Sequence, residues 1–350
     1  MKYSKLPKDC NSLICRYLTQ EIYDKLKDLK SSSGFTLDRA ISSGLSNPDS
    51  SIGIYAGDKE SYELFAPIFD PIIEEYHGFG RGDSHRSDMD ISHLDISNPD
   101  PQGEYILSTR IRVGRNIRDI PLGSAITKEQ RDEVESRVVE ALALLDGDLR
   151  GEYYPLYDMR RDIQDRLISD HFLFKEGDRF LDAAGLNRDW PSGRGIYHNI
   201  DKRFLVWVNE EDQLRIISMQ KGGDIAEVFN RLVTAIESLE KSISFSYSDH
   251  LGYITSCPTN LGTAMRASVH ISLPNLSRDL DRLKSITDRY HLQIRGIDGE
   301  HSDTKGDIFD ISNRRRLGVS EVEAVMDMYS GVEALISEER RYDIKSHTQK

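Results

Sequence analysis

Alternation of apolar and polar side chains divides this 350-residue chain into recognisable pieces. Over residues 105–113, Tyr105, Leu107, Thr109, Ile111 and Val113 share one face of a strand, while Ser108, Arg110 and Arg112 share the other. Over 266–273, Arg266, Ser268 and His270 lie on one side and Ala267, Val269 and Ile271 on the other. The apolar run 204–208 meets the polar turn Asn209-Glu210-Glu211-Asp212, and residues 213–219 return. This predicts an antiparallel hairpin with acids at its tip and Arg215 just inside it. A strand-like run from Tyr253 ends at Cys257 and Pro258. Residues 292–295 end a further strand, which opens into a polar loop of Gly296, Ile297, Asp298, Gly299, Glu300 and His301.

Helical spacing governs much of the rest. Ile22, Leu26 and Leu29 recur after a cap at Thr19, and Leu37, Ile41 and Leu45 after Thr36. Helical pieces over 60–65 and 72–76 are separated by Pro67 and Pro71. Longer helices are predicted over 128–145, 224–242 and 277–290, and from Ser320, where Ser320 and Glu323 form a capping box, to about Arg340. Residues 78–103, rich in Gly, Asp, Ser, His and Pro, read as a linker. The division that follows is an all-helical domain over 1–85, a linker over 86–103 and a larger domain over 104–350. Strands joined by hairpins and mixed with helices make the larger domain an antiparallel sheet flanked by helices, hence an α+β protein.

Composition narrows the function classes. With 46 Lys and Arg against 59 Asp and Glu, the net charge of −13 argues against a nucleic-acid binder that works by neutralising phosphates. The first twenty residues carry no apolar core of a signal peptide, and the longest apolar runs are about five residues, so neither secretion nor a membrane span is expected. The three cysteines, Cys10, Cys15 and Cys257, stand at no metal-ligand spacing and predict free thiols in a reducing, cytoplasmic setting. No G-x-x-x-x-G-K-[ST] run is present, so phosphates would not be bound by a P-loop.

Against that acidic background, positive charge is concentrated on strand faces. Arg110 and Arg112 point the same way, as planar forks gripping successive phosphates would. Arg266 and the thiol of Cys257 stand at neighbouring strand ends, an arrangement suited to an anionic, phosphate-like ligand. Each feature alone also fits a bland reading: solvated arginines, a cysteine as apolar filler, a soluble acidic turn.

Taken in order, the motifs resemble the phosphagen (guanidino) kinases from about Ser12 to about Ser337. They are STRIR at Ser108 to Arg112, DHFLFKEGDRF from Asp170, WPSGRGI from Trp190, FLVWVNEEDQLRIISMQKGG from Phe204, CPTNLGT from Cys257 and RGIDGEH from Arg295. The resemblance implies a small helical domain beside one built on an eight-stranded antiparallel sheet. It also implies reversible transfer of the γ-phosphoryl group of MgATP to a guanidinium, with free L-arginine as acceptor.

By position in the motifs, Arg110, Arg112, Arg215, Arg266 and Arg295 would hold the phosphates. The nucleotide site would further comprise Ser108, Thr109, Ile111, His171, Ala267, Ser268, Val269, His270, Gly296, Ile297, Asp298, Gly299 and Glu300. Arg266 would act in catalysis, Glu211 and Glu300 would flank the guanidinium, and Cys257 would face it as a thiolate whose pKa nearby positive groups lower. Mg²⁺ would be held by phosphates and water rather than by protein ligands.

Ser51, Ile52, Gly53, Ile54 and Tyr55 would form the specificity loop, with a loop length and a tyrosine, Tyr76, like those of arginine-using members. Ser51 stands where many members have glycine, restricting the backbone, and Gly57 replaces a usual proline. Asp49 and Arg179 match a pair that links the domains. Monomer and homodimer both fit. Two other readings remain open on the sequence: a kinase for another guanidino compound, such as taurocyamine, glycocyamine, creatine or a protein arginine, and a non-catalytic protein on the same fold.

Overall fold

The computed structural model describes residues 10–295 and 306–348. The first part is helical: α1 (Leu13–Tyr17), α2 (Gln20–Leu26), α3 (Leu37–Ala40), α4 (Ser42–Ser46), α5 (Lys59–Leu64) and α6 (Ala66–His77). Then follow β1 (Ile106–Arg115), α7 (Lys128–Leu142), β2 (Gly151–Pro155), α8 (Arg161–Ser169), α9 (Arg179–Ala183), β3 (Gly195–Asn199), β4 (Phe204–Val208), β5 (Leu214–Lys221) and α10 (Ile225–Glu240). The rest comprises β6 (Tyr247–Ser248), β7 (Gly252–Tyr253), β8 (Met265–Ser272), α11 (Leu280–Arg289), β9 (Leu292–Arg295), β10 (Ile308–Asn313) and α12 (Glu321–Thr348). Strands β6 and β7 pair separately, and the others form an eight-stranded sheet in the order β2-β3-β4-β5-β1-β8-β10-β9. Each pairing in it is antiparallel, as the α+β expectation requires.

Register decides what each face carries. Arg112 pairs with Ile217 on one side and Arg266 on the other, and Arg110 with Met219 and Ser268. Paired residues point to the same face, so Arg110, Arg112 and Arg266 emerge together. The opposite face carries Ile111, Val113, Val206, Ile216, Ala267, Val269, Ile271 and Ile311, all buried. It packs against Val134 and Val138 of α7, Val228, Leu232 and Ile236 of α10, Leu283 of α11, and Val325, Met328 and Val332 of α12. Those helices give the sheet a dry side and leave its arginine side to face a cleft.

Several sequence expectations change. Leu107 is 49% exposed and Ile106 buried, because the β1–β8 register shifts between Ile106 and Ser108 and reverses the alternation there. The two helical pieces are present, but the break falls at Phe65, between α5 and α6, rather than across Pro67 to Pro71. Pro67 sits in the first turn of α6, where its missing N–H costs nothing, and Pro71 lies inside the same helix. The helix over Leu37, Ile41 and Leu45 breaks at Ile41 into α3 and α4, and Leu29 lies beyond the end of α2. The run 253–257 pairs only at Tyr253 and continues as a buried loop. Cys10 and Cys15 form a disulfide, with Cα atoms 6.1 Å apart across the start of α1, so only Cys257 is a free thiol. Pairing at that short separation depends on the turn into α1, which counting cysteines does not reveal.

Other expectations hold. Thr19 caps α2 at Ile22 N (3.2 Å), and Ser320 and Glu323 close their capping box at 3.2 and 2.7 Å. The entry to β1 is set by Asp100, whose buried carboxylate accepts the backbone N–H groups of Glu104, Tyr105 and Ile106 at 3.0, 2.8 and 2.7 Å. Asp100→Ala would strand those donors, and we expect it to cost about 3 kcal/mol in chemical denaturation, since each unpaired buried donor costs about 1–3 kcal/mol. A midpoint unchanged from the parent protein would show that water satisfies them.

Candidate functional site

A cleft of about 500 Å³ lies between the open face of the sheet and the N-terminal helical region. Arg112, Arg215, Arg266, Arg295 and Arg316 line it together with Glu210, Glu211, Cys257, Asn260, and Ser51, Ile52, Gly53 and Tyr55. Residues from the start, middle and end of the chain therefore meet in one place.

The arginines come from register. Arg112 and Arg266 are direct cross-strand partners, and Arg215 pairs with Gly114 on the next strand. Arg295 faces Asp310 on the sheet's far side. Trp207 stacks against Arg110 and Arg215, with ring centroids 5.8 and 5.2 Å from the guanidinium carbons. Its indole N–H donates to Phe172 O at 2.7 Å, linking this platform to the segment that carries His171. Among the described residues, these arginines have the following acidic partners. Arg215 pairs with Glu210 (3.0 Å) and Glu211 (3.2 Å), and Arg266 with Asp310 (2.7 Å). Burial, then Arg215 and Arg266, push Arg110 down to about 10. Burial, followed by Arg215, Arg110 and Arg266, likewise pushes Arg112 well below its ordinary value. Arg110 Nε is buried with no hydrogen-bond partner among the described residues. Such a cluster attracts a multiply charged anion with acceptor oxygens.

Glu210 and Glu211 stand where the β4–β5 hairpin predicts them. Asn209 takes the left-handed conformation (φ 58°), its N–H donates to Gln213 O (2.9 Å), and its amide donates to Gly193 O (2.7 Å). Glu211 Oε2 accepts from Arg215 (3.2 Å) and Asn260 (3.5 Å). Burial, with Asp212 and Glu210 beside it, raises its proton affinity well above the usual carboxylate range. Asp212, which the sequence reading used only as a turn residue, is buried and accepts from Asn116 Nδ2 and Ser256 N, both at 2.8 Å. It ties the acidic tip to the loop carrying the thiol. Cys257 Sγ lies 3.1 Å from Thr259 Oγ1. The positive neighbours expected to lower its pKa do not: burial first, then Glu211, push the thiol up to about 12.

Residues 51–55 form the opposing wall. The carbonyls of Ser51 and Ile52 accept N–H groups from Leu13 and Ile14 at 3.0 Å, so α1 backs the loop. Gly53 needs to be glycine: its φ is +72°, and a Cβ would come within 2.5 Å of Ser12 Oγ and 2.8 Å of Gly44 Cα. Ser51 is not among the positive-φ residues, so its Cβ restricts nothing the loop requires. A Cβ at Gly57 would lie 2.2 Å from the Phe35 ring, which accounts for the missing proline. Ile54 is buried in the helical core, whereas Tyr55 reaches the cleft as a phenol, its pKa raised by burial.

Some predicted residues do not converge. Thr109, Ile111, Ala267 and Val269 point to the helix-covered face, so only their backbone belongs to the arginine strands. Ser108, Ser268 and His270 share the arginine face, and His171 lies near enough to His270 to oppose its protonation. Gly296, Ile297, Asp298, Gly299, Glu300 and His301 lie outside the described residues. Arg179 meets Asp49 at 2.8 Å, as expected. Arg316, Asn260 and Asp310 were missed, because an arginine in the run 314–316 and an aspartate in a strand carry no motif of their own. Among the described residues, no group of His, Cys, Asp or Glu side chains gathers as metal ligands.

The family model for the ATP:guanido phosphotransferase C-terminal catalytic domain matches residues 133–342, and that for the N-terminal domain matches 8–74. Arginine kinase Lit v 2 of Penaeus vannamei is 53% identical over 334 residues, covering 95% of this chain and 94% of its own length. Arginine kinase of Artemia franciscana is 55% identical over 335 residues, covering 95% and 94%. The structure of the duplicated taurocyamine kinase from Schistosoma mansoni, with bound transition state analog components, superposes with a TM-score of 0.89 at 42% identity. That match covers 96% of this chain and 47% of the duplicated one.

The environment of Cys257 makes a direct chemical claim. With its pKa far above neutrality, its alkylation by iodoacetamide should rise about tenfold per pH unit from 7 to 9 without levelling. Cys10 and Cys15 should stay unlabelled unless a reductant is added. Peptide mapping that shows a plateau below pH 7 would contradict this electrostatic picture.

Proposed function

The chain belongs to the ATP:guanido phosphotransferase family, and we propose that within it the protein is an arginine kinase, moving the γ-phosphoryl group of MgATP reversibly to free L-arginine. The observation that carries this reading is the single cleft in which the arginine face, the Glu210–Glu211 tip, Cys257 and the 51–55 loop meet.

A protonated guanidinium, with a pKa above about 12, is a poor nucleophile, so position and charge must supply most of the rate. Arg110, Arg112, Arg215, Arg266 and Arg295 present always-charged forks to the nucleotide phosphates, and Arg266 stabilises the group in flight. The donor set fits phosphate: Arg110 Nε has no partner among the described residues, and Arg110 and Arg112 are held below their usual pKa by burial first and then by neighbouring guanidinium groups, both of which a bound anion would offset. Magnesium supplies charge neutralisation at the phosphoryl oxygens when bound with the nucleotide, held by phosphates and water. Glu210, already paired with Arg215, acts on that side of the site.

Glu211 and Cys257 face the substrate guanidinium, whose positive charge favours the ionised form of both. Once that charge has ionised it, Glu211 can accept the proton lost as the nitrogen attacks. Glu300 is proposed as the second carboxylate. At the other end of arginine, the 51–55 backbone and the Tyr55 hydroxyl receive the α-carboxylate and amine. The anchors thus measure the substrate's length.

We place the small domain at 1–85, the linker at 86–103 and the nucleotide domain at 104–350, with Asp49–Arg179 bridging them. A cytoplasmic monomer or homodimer fits this reading. No described helix is long and apolar enough to cross a membrane.

In coupled assays, L-arginine should exceed taurocyamine, glycocyamine and creatine in kcat/KM by at least about two orders of magnitude, or about 2.7 kcal/mol. Comparable use of taurocyamine would replace arginine as the substrate while leaving the chemistry intact. Arg266→Lys keeps the charge facing Asp310 but loses the fork, and kcat should fall about 100-fold with unchanged circular dichroism. Near-normal turnover would remove Arg266 from the transition state.

A further inference from the structure

The loop that carries Cys257 has its backbone acceptors satisfied one after another. Tyr62 Oη donates to Thr255 O (2.8 Å), Ala56 N to Ser256 O (2.8 Å) and His77 Nε2 to Pro258 O (2.9 Å). Thr255 Oγ1 donates to Cys257 O (2.9 Å), and Arg316 Nη1 donates to Thr259 O (2.9 Å). Tyr62, Ala56 and His77 all come from the N-terminal helical region, although the loop belongs to the sheet-bearing part of the chain. The last residue of α6 therefore holds the carbonyl directly after the thiol residue.

We propose that His77 is a positioning residue for Cys257, its Nε2–H fixing the Pro258 carbonyl so that the thiol points into the cleft. The ring chemistry fits this role. A carbonyl only accepts, so Nε2 must carry the proton. Burial, with Arg316 nearby, lowers the ring's pKa to about 4, so His77 stays a neutral single donor at physiological pH. Tyr76, which lines the cleft, stacks edge-on against the His77 ring at 4.8 Å. One helix end thus contributes both a wall residue and the clamp on the thiol loop. Because Cys257 faces the guanidino substrate and not the nucleotide, the consequence falls on one substrate; this part rests on the function proposed above.

The test compares His77→Ala, which loses the donor, with His77→Gln, whose side-chain amide can restore it. In His77→Ala, KM for arginine should rise about tenfold with KM for MgATP within about twofold, as expected for one lost hydrogen bond acting on one ligand. Iodoacetamide labelling of Cys257, measured without substrates, should accelerate several-fold as the loop loosens. His77→Gln should return both readings to within about threefold of the parent enzyme. Equal impairment of Ala and Gln would make His77 a space-filling residue and overturn the proposal, as would labelling and KM unchanged in His77→Ala, or equal shifts in both KM values. The labelling rate needs no turnover, so it tests His77 even if arginine proves not to be the substrate.

Discussion

Gathering like charge on one face of a sheet is the constraint around which this protein is arranged. Two guanidinium groups at 4–8 Å repel by roughly 2–4 kcal/mol at an effective protein dielectric. β1, β5 and β8 nevertheless place Arg110, Arg112, Arg215 and Arg266 side by side, with Arg112 directly across from Arg266. Backbone pairing and the packed helices on the opposite face hold them there. Glu210, Glu211 and Asp310 offset part of the repulsion, and Trp207 spreads more of it over a ring face. What remains is a site with a standing demand for anionic oxygen, prepared before any nucleotide binds. Net acidity elsewhere confines that demand to one cleft.

The acceptor side rests on the opposite device, a wall of saturated hydrogen bonds. Asp212 joins the acidic tip to Ser256, and donors from α5, α6 and the segment after residue 55 hold the loop around Cys257. The N-terminal helical region therefore does more than supply the 51–55 wall, since it also fixes the thiol across from it. Glu211 and Cys257 both have raised proton affinity, because each is buried beside negative groups and neither has a cation to itself. A guanidinium placed between them would supply that cation, and substrate binding and ionisation would then favour each other.

Motif reading went wrong where it treated a run of residues as one surface. Thr109, Ile111, Ala267 and Val269 belong to the right strands but to the wrong side of them, since alternate positions of a strand cannot share a face. The cysteines failed differently. Their number and spacing pointed to free thiols, yet the turn into α1 brings Cys10 and Cys15 together. The glycine position in the loop held a worry that the backbone removes: Gly53, not Ser51, takes the left-handed conformation.

By itself, the sequence determined the local chemistry: the alternation of β1 and β8, the β4–β5 hairpin with Glu210 and Glu211 at its tip, the capping box at Ser320 and Glu323, and the family motifs. These depend on neighbours within a few residues, so a linear reading captures them. Only the tertiary structure decided which strands lie side by side, and with that the cross-strand pairing of Arg112 with Arg266, the shift at Leu107 and the place of Asp310 beside Arg266. It alone brought His77 to Pro258 and Arg316 to Thr259, contacts between residues 181 and 57 positions apart. Such contacts leave no trace in periodicity because neither partner's own neighbours require it. The need arises only when the packed fold buries a carbonyl that must find a donor.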